Sequence, residues 1–138
     1  MTDLDVLLVD DEKEFVAALA ERLAMRCLKT RIAFSGEEAL ELVRQKVPDV
    51  VVLDLKMPGM NGLDVLRLLK KSHPQVPVIM LTAHGSERDR EAGRLLGAFD
   101  QLQKPVEIGA LIRSMKEACG HRRTRPEADN GVPPRPVQ

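Results

Sequence analysis

The chain of 138 residues is long enough for one domain with a substantial hydrophobic core. Its 21 basic and 21 acidic side chains give a formal net charge of zero, which argues against a dedicated nucleic-acid-binding protein, because such proteins carry a basic excess. Two cysteines are too few for a disulfide scaffold, and the apolar runs fall well short of the ~18 residues of a membrane span, so we expect a reduced, cytoplasmic protein.

The first half of the chain alternates short apolar runs with amphipathic stretches. Leu4–Val9 is an apolar run that predicts a strand, and the residues before it lack the basic region and cleavage site expected of a signal peptide. Glu12–Arg26 has apolar residues near helical spacing, and the more mixed Lys29–Phe34 is typical of a strand near a sheet edge. A capping-box sequence, SGEE, begins at Ser35, and the helix that it predicts runs to about Gln45.

The second half of the chain continues the same alternation. Strands and helices are predicted in turn at Val50–Leu53, Leu63–Lys71, Val76–Leu81, Ser86–Leu96, Ala98–Gln103 and Val106–Cys119. Five strand–helix units in strict alternation predict an α/β fold in which helices cover both faces of a parallel sheet. From Gly120 onwards four prolines and four arginines stand among residues with little to bury, so residues 120–138 are expected to form a disordered tail.

Polar residues stand where four of the predicted strands end. They are Asp10 and Asp11 after the first strand, Asp54 after the third, Thr82 after the fourth and Lys104 after the fifth. Ligands of an open parallel sheet bind beyond the carboxyl ends of its strands, where the strand order reverses. These ends would therefore gather three carboxylates, a hydroxyl and an ammonium in one pocket, which suits a hard divalent cation and a phosphoryl group.

Taken one at a time, these residues have simpler explanations. Asp11 would cap the next helix together with Glu14, and Asp54 would only open a turn. Thr82 would be an ordinary strand residue, and Lys104 would belong to a turn. As a set they are hard to explain by folding, because neighbouring carboxylates repel one another unless a cation such as Mg²⁺ offsets their charge. With the cation bound, Asp54 could attack phosphorus, while Lys104 and Thr82 would contact the phosphoryl oxygens.

Five fragments of the sequence, in this order and spacing, resemble the receiver domains of two-component response regulators. They are LLVDDE, SGEEALEL, PDVVVLDLKMPGMNGLDVL, PVIMLTAHGS and GAFDQLQKPVE. The resemblance covers residues 3–119 and implies one receiver domain with a flavodoxin-like (βα)5 fold, a three-layer α/β sandwich whose five parallel strands have the order 2-1-3-4-5. The last two fragments are also similar to receivers attached to transcriptional activators and hybrid kinases.

The resemblance also implies a role for each polar residue at the strand ends. Asp54 would be the phosphoacceptor, Thr82 the switch hydroxyl and Lys104 the lysine that contacts the phosphoryl group. The implied Mg²⁺ ligands are Asp11, Asp54, Asp10 through water, and the main-chain carbonyl of Lys56. The Lys104–Pro105 peptide bond is expected to be cis, as in similar proteins.

Similar proteins take a phosphoryl group from a phosphohistidine on a sensor histidine kinase. Phosphorylation then remodels the surface of the fourth helix, fifth strand and fifth helix, which controls a downstream target. The resemblance thus implies a switch rather than an enzyme, because the domain catalyses only its own phosphorylation and slow dephosphorylation. Binding to nucleic acid or to a membrane is not expected of this chain. The kinase and the target are not evident from the sequence, and dimerisation through the fourth and fifth helices stays open.

Three further positions bear on how such a switch would work. Similar proteins usually carry Tyr or Phe three residues before the lysine, where this chain has Gln101, which would hydrogen-bond within the pocket or lie in solvent. We hypothesise that this substitution weakens the switch or changes its output surface. Lys56 and His84 each lie two residues after a site residue, and they either tune the lifetime of the phosphoryl group or are solvated loop side chains.

Three other classes of protein fit the sequence less well. A haloacid-dehalogenase-type phosphatase would need a second Asp two residues after its nucleophile, where this chain has Lys56. A flavin carrier of similar fold would need a phosphate-binding loop after the first strand, and the chain has no Trp or Tyr to cover a flavin. A phosphorylation-independent docking module, or pseudo-receiver, has no use for the complete acidic set, although Gln101 leaves this alternative open.

Overall fold

The computed structural model describes residues 4–83 and 85–123, and its ten elements confirm the predicted alternation of strands and helices. The strands are β1 (Asp5–Val9), β2 (Lys29–Ala33), β3 (Val50–Asp54), β4 (Val78–Thr82) and β5 (Asp100–Gln103). The helices are α1 (Lys13–Ala24), α2 (Gly36–Gln45), α3 (Gly62–Ser72), α4 (Glu87–Leu95) and α5 (Ile108–Arg123).

All five strands form one parallel sheet in the order β2-β1-β3-β4-β5, which confirms the order implied by the resemblance. The strand order reverses between β1 and β3, so the edge beyond these two strands is the expected position for a ligand. Every residue of β3 is buried, as its continuous apolar sequence predicts for a strand that is covered on both faces. The outer strands β2 and β5 are only partly buried.

Two separate hydrophobic cores lie on opposite faces of the sheet. Successive residues of a strand point to opposite faces, so Val6 and Leu8 of β1 enter one core, while Leu7 and Val9 enter the other. Helices α1 and α5 cover the first core, and helices α2 and α3 cover the second. Helix α4 buries only Gly93, because six of its nine residues are charged and Leu95 is 69% exposed. This helix is therefore held to the domain mainly by polar contacts and by the residues that follow it.

Polar caps set where three of the helices begin. Ser35 accepts a hydrogen bond from the main chain of Glu38, as the capping-box sequence predicts, but the Glu38 carboxylate bonds the N–H of Phe34 instead of returning to Ser35. Complete capping boxes begin α3, between Asn61 and Asp64, and α4, between Ser86 and Asp89. Both boxes have the same four-residue spacing as Ser35 and Glu38, with Asp in place of Glu at the fourth position.

The last helix continues beyond the predicted end of the domain. The sequence predicts a helix that ends at Cys119 and a tail that begins at Gly120, whereas α5 extends to Arg123. One glycine costs a helix only about 1 kcal/mol, which is too little to end it. The rest of the predicted tail, residues 124–138, lies outside the described residues. Within the described part of the chain, no helix combines the length and the apolar character needed to cross a membrane.

Candidate functional site

The carboxyl ends of the central strands bring the predicted acidic residues together. Val9 of β1 pairs with Leu53 of β3, so the residues that follow them, Asp10 and Asp54, lie at the same level of the sheet. Asp54 in turn lies opposite Leu81, next to the end of β4. The parallel register therefore places these side chains at the switch point of the sheet without any special loop conformation.

Three carboxylates form a compact cluster at this edge. One carboxylate oxygen from each of Asp10, Asp11 and Asp54 lies within 4.8 Å of the others. Asp10 and Asp54 are buried, at 4% and 5% exposure, and Asp11 is half-buried. Oxygen atoms at this separation could bind one hard divalent cation, and Mg²⁺ and Ca²⁺ both prefer such ligands. The implied contribution of the Lys56 main-chain carbonyl stays a prediction.

Lys104 reaches the acidic cluster from the neighbouring end of β5. Its main-chain N–H donates to the carbonyl of Thr82 at 2.9 Å, which joins the β5–α5 loop to the end of β4. Its Nζ lies 2.9 Å from Asp10 Oδ2 and 3.6 Å from Asp54 Oδ1, and the side chain is only 9% exposed. The peptide bond between Lys104 and Pro105 is cis, as the resemblance implies. An ammonium and three carboxylates thus share one edge, with the half-buried Thr82 beside them.

The electrostatics of the cluster fit a cation-binding site. Burial and then the negative charge of Asp10 raise the pKa of Asp54 to about 6; Lys104 opposes this rise, and Asp11 and Glu12 add to it. Burial also disfavours a charged Lys104, yet its hydrogen bonds with Glu12 and Asp10 and the charges of Asp10 and Asp54 together raise its pKa. A divalent cation would relieve the repulsion that favours the protonated form of Asp54.

The loop after β1 is organised by Asp10, and this excludes the simpler role considered for Asp11. Asp10 Oδ1 accepts a hydrogen bond from the N–H of Glu12 at 2.9 Å. The N-cap position of α1 is Glu12, so the alternative in which Asp11 caps this helix with Glu14 is wrong. Asp10, and not Asp11, therefore accepts the main-chain N–H at this turn. The carboxylate of Asp11 lies in the acidic cluster instead.

Two residues of the site were missed in the sequence analysis. Glu12 Oε1 accepts a hydrogen bond from Lys104 Nζ at 2.7 Å, and the ring centroid of Phe15 lies 4.4 Å from the same Nζ. Both come from the start of α1, whereas Lys104 follows β5, 92 residues after Glu12. Sequence spacing gives no sign of such a contact, because it depends on the side-chain conformations of two distant segments.

Gln101, which stands where similar proteins carry an aromatic residue, is hydrogen-bonded to α4. Its amide Nε2 donates to the main-chain carbonyl of Arg90 at 2.7 Å, an exposed bond to α4 that neither of the two alternatives described. The side chain lies close to Gly93, at which an added Cβ would come within 3.2 Å of the amide oxygen. Thr82 and Gln101 line the same open pocket between α4 and β5. The effect on switching stays a hypothesis.

The two residues proposed to tune phosphoryl lifetime differ in what the structure describes. Lys56 is exposed, and its Nζ lies 4.0 Å from Asp89 Oδ2 in the first turn of α4. Its side chain therefore links the loop after β3 to α4, a contact that neither alternative anticipated. His84 lies outside the described residues.

Comparison with known proteins identifies the family and supports the fold. The sequence profile of the response regulator receiver domain family matches residues 6–116. The transcriptional regulatory protein CpxR of Escherichia coli strain K12 is 43% identical over 131 residues, which cover 93% of this chain and 56% of CpxR. CpxR of Klebsiella pneumoniae is 47% identical over 113 residues, covering 80% and 48% of the two chains. The chain thus spans about half the length of the curated relatives that it matches.

Solved structures show the same architecture. The Francisella response regulator 1452 receiver domain superposes with a TM-score of 0.80 at 32% identity, covering 86% of this chain and 98% of that one. A receiver domain protein from Methanospirillum hungatei JF-1 reaches a TM-score of 0.85 at 24% identity, covering 88% and 98%. The second likeness, at this identity, supports the fold alone.

Proposed function

The chain belongs to the receiver domain family of two-component response regulators, and we propose that it accepts a phosphoryl group on Asp54 with the help of a bound Mg²⁺. One observation carries the proposal: three carboxylates at the carboxyl ends of two adjacent strands converge to within 4.8 Å beside a lysine whose side chain is 9% exposed. Such a cluster is costly to the fold unless a cation is bound. Asp10, Asp11 and Asp54 would hold that cation, together with the main-chain carbonyl of Lys56.

The residues of the site have distinct tasks in the proposed transfer. An oxygen of Asp54 forms the new bond to phosphorus while the bond between phosphorus and the donor atom breaks. The imidazole of a phosphohistidine takes up a proton from water as it leaves, whereas acetyl phosphate releases acetate as an anion. Bound Mg²⁺ would supply positive charge to the carboxylates and to the phosphoryl oxygens. Lys104 Nζ, now 3.6 Å from Asp54, would pair with one phosphoryl oxygen, and the Thr82 hydroxyl would donate to another.

The partners follow from the family and from the curated relatives. The donor in the cell would be the phosphohistidine of a sensor histidine kinase, and a downstream protein would read the phosphorylated surface of α4, β5 and α5. CpxR is named as a transcriptional regulator, so control of transcription through a further domain or partner is the output that we favour. The chain itself would bind neither DNA nor a membrane, and it would act in the cytoplasm as a switch rather than as an enzyme on other molecules.

The alternative of a phosphorylation-independent docking module is not favoured. A pseudo-receiver needs the folded surface but not the acidic cluster, and here Asp10, Asp11 and Asp54 are all present and in place. The phosphatase and flavin-carrier alternatives are not favoured either, because the receiver domain family matches residues 6–116.

Intact mass spectrometry after incubation with Mg²⁺ and acetyl phosphate tests the proposal. We expect one added phosphoryl group on the wild type, none on Asp54→Asn, and none on the wild type in EDTA. Asp64→Asn is the matched control, because it makes the same change to a carboxylate in α3, outside the cluster, and should still accept the group. Beryllofluoride binding, followed by NMR, covers the case of a rapidly lost phosphoryl group. Failure of the wild type in both assays would remove the proposed function.

A further inference from the structure

Lys104 has two neighbours at the start of α1 that the proposed reaction does not use. Glu12 is the closest partner of its Nζ, at 2.7 Å, and the ring of Phe15 lies 4.4 Å from the same atom. The distance to the ring centroid is within the ~6 Å at which an ammonium is attracted by the electron-rich face of an aromatic ring. Glu12 is the N-cap residue of α1 and Phe15 lies in its first turn, so the start of this helix supplies both contacts.

The two neighbours differ in how firmly they are placed. Phe15 is half-buried and packs against the core formed by α1, α5 and one face of the sheet. The side chain of Glu12 is 61% exposed, so solvent reaches its carboxylate. The side chain of Lys104 is 9% exposed. Its ammonium lies between the packed ring of Phe15 and the solvent-exposed carboxylate of Glu12.

The contacts of Lys104 also differ in how they respond to the reaction. Its ammonium has three N–H donors, and in this state they are directed to carboxylates, with Glu12 and Asp10 within hydrogen-bond distance and Asp54 beyond it at 3.6 Å. Cation binding would offset the charges of Asp10 and Asp54, and phosphorylation would convert the Asp54 carboxylate into an acyl phosphate. The ring of Phe15 uses no N–H donor and keeps its attraction for the ammonium whatever the charge on the carboxylates.

We propose that Phe15 is a positioning residue for phosphoryl transfer, whose ring holds the Lys104 ammonium beside Asp54 while its carboxylate contacts are exchanged for phosphoryl oxygens. This inference rests on the proposed function. Without the ring, Lys104 would be drawn towards Glu12, its closest and most exposed partner, and would spend less time where the phosphoryl oxygens arrive. Removing the ring should lower the rate of phosphoryl transfer but leave the affinity for the cation unchanged, because the ring contacts Lys104 and supplies no ligand to the cation.

The test compares phosphorylation rates of Phe15→Leu, Phe15→Tyr and the wild type with acetyl phosphate at saturating Mg²⁺. Losing a contact of this kind should slow Phe15→Leu about 3- to 10-fold, and Phe15→Tyr, which keeps an aromatic face, should restore most of the rate. Calorimetric titration should give the same Mg²⁺ dissociation constant for all three proteins. In NMR spectra, the ring should shift the Lys104 ε-methylene protons upfield in the wild type and in Phe15→Tyr, but not in Phe15→Leu.

Phe34→Leu is the matched control, because Lys13 Nζ lies 5.3 Å from that ring, in an equivalent contact away from the cluster. It should phosphorylate at the wild-type rate. A wild-type rate for Phe15→Leu, or an equal loss in Phe15→Tyr, would overturn the inference, and so would an equal loss in Phe34→Leu. A wild type that accepts no phosphoryl group and binds no beryllofluoride would instead remove the proposed function, and this inference with it.

Discussion

At the scale of single residues, Asp54 makes the stability of the cation-free protein depend on pH. Its pKa is raised from 3.8 to about 6 in the fold, chiefly by burial and by Asp10, so between these values the folded state binds a proton more tightly than the unfolded chain. The contribution of Asp54 to the free energy of unfolding is therefore fully present below about pH 4 and is lost as pH rises through about 6.

Denaturant unfolding in EDTA at pH 4, 5, 6 and 7 checks this dependence. The stability of the wild type relative to Asp54→Asn should fall by on the order of 2 kcal/mol across the range, since each pH unit between the two pKa values is worth about 1.4 kcal/mol. Comparison with the amide variant cancels the titration of carboxylates elsewhere in the chain. A difference that stays constant from pH 4 to pH 7 would contradict the raised pKa.

Cys27 occupies a backbone position that normally belongs to glycine. The N–H of Leu28 bonds the carbonyl of Leu23, and the N–H of Cys27 bonds that of Ala24, which is the Schellman arrangement that ends a helix in a left-handed residue. Cys27 has a φ of 67°, where a Cβ is strained. A cysteine gives no sign of this conformation in the sequence, so only the structure reveals the strained position.

Cys27→Gly should therefore stabilise the protein by about 0.5–1 kcal/mol, because the relief of backbone strain exceeds the added flexibility of the unfolded chain. Urea denaturation provides the measurement. Cys27→Ala is the matched control: it removes the same thiol but keeps the Cβ, and it should give no comparable gain. Equal gains in the two variants would trace the effect to the thiol and not to the backbone.

At the scale of elements, Gln101 and Gly93 couple α4 to β5. An alanine Cβ at position 93 would come within 3.2–3.3 Å of the Gln101 amide, which is already held by its 2.7 Å bond to the carbonyl of Arg90. Alanine favours a helix over glycine by about 1 kcal/mol, but in the wild type part of this gain is lost in displacing the amide.

Gly93→Ala should consequently stabilise the protein by about 1 kcal/mol in a Gln101→Ala background, and by clearly less in the wild type. A double-mutant cycle from thermal or urea unfolding measures the difference. If Gly93→Ala has the same effect in both backgrounds, the two residues are not coupled, and α4 is held by other contacts such as that between Lys56 and Asp89.

The elements themselves could be predicted to a large extent, and the exceptions have physical reasons. The apolar run that became β3 is buried on both faces, so its sequence alone indicates a central strand. The capping boxes of α3 and α4 end in Asp rather than in the Glu of the usual signature, so the sequence marks these helix starts less clearly than that of α2. The end of α5 was placed too early, because Gly120 was taken for a stop where glycine only weakens a helix.

The residues of the site also fall into two groups. Some can be grouped from their positions in the sequence, and others come close only through tertiary packing. Residues at strand ends share an edge in any parallel sheet, so Asp10, Asp54 and Lys104 could be grouped before the structure was known. The closeness of Glu12 and Phe15 to Lys104 could not, because it depends on how the first turn of α1 packs against the β5–α5 loop. Geometry of this kind comes from tertiary packing and leaves no local signal in the sequence.

At the scale of the whole molecule, the acidic cluster joins the two central strands of the sheet, and its ligands meet only in the folded chain. Asp10 and Asp11 follow β1, whereas Asp54 ends β3. A cation that binds this arrangement, and not the unfolded chain, must raise the free energy of unfolding by mass action. The gain should be about 1.4 kcal/mol at ten times the dissociation constant, which is about 3–6 °C in Tm for a domain of this size.

Differential scanning calorimetry with increasing Mg²⁺ should show this rise, and excess EDTA should reverse it. Asp11→Asn removes a proposed ligand together with one of the charges that raise the pKa of Asp54, so it should stabilise the cation-free protein while abolishing most of the Mg²⁺ response. Asp64→Asn, with the same change outside the cluster, should keep the full response. Because only a cation in the cluster would distinguish these two variants, an equal Mg²⁺ response in both would place the bound ion elsewhere on the molecule.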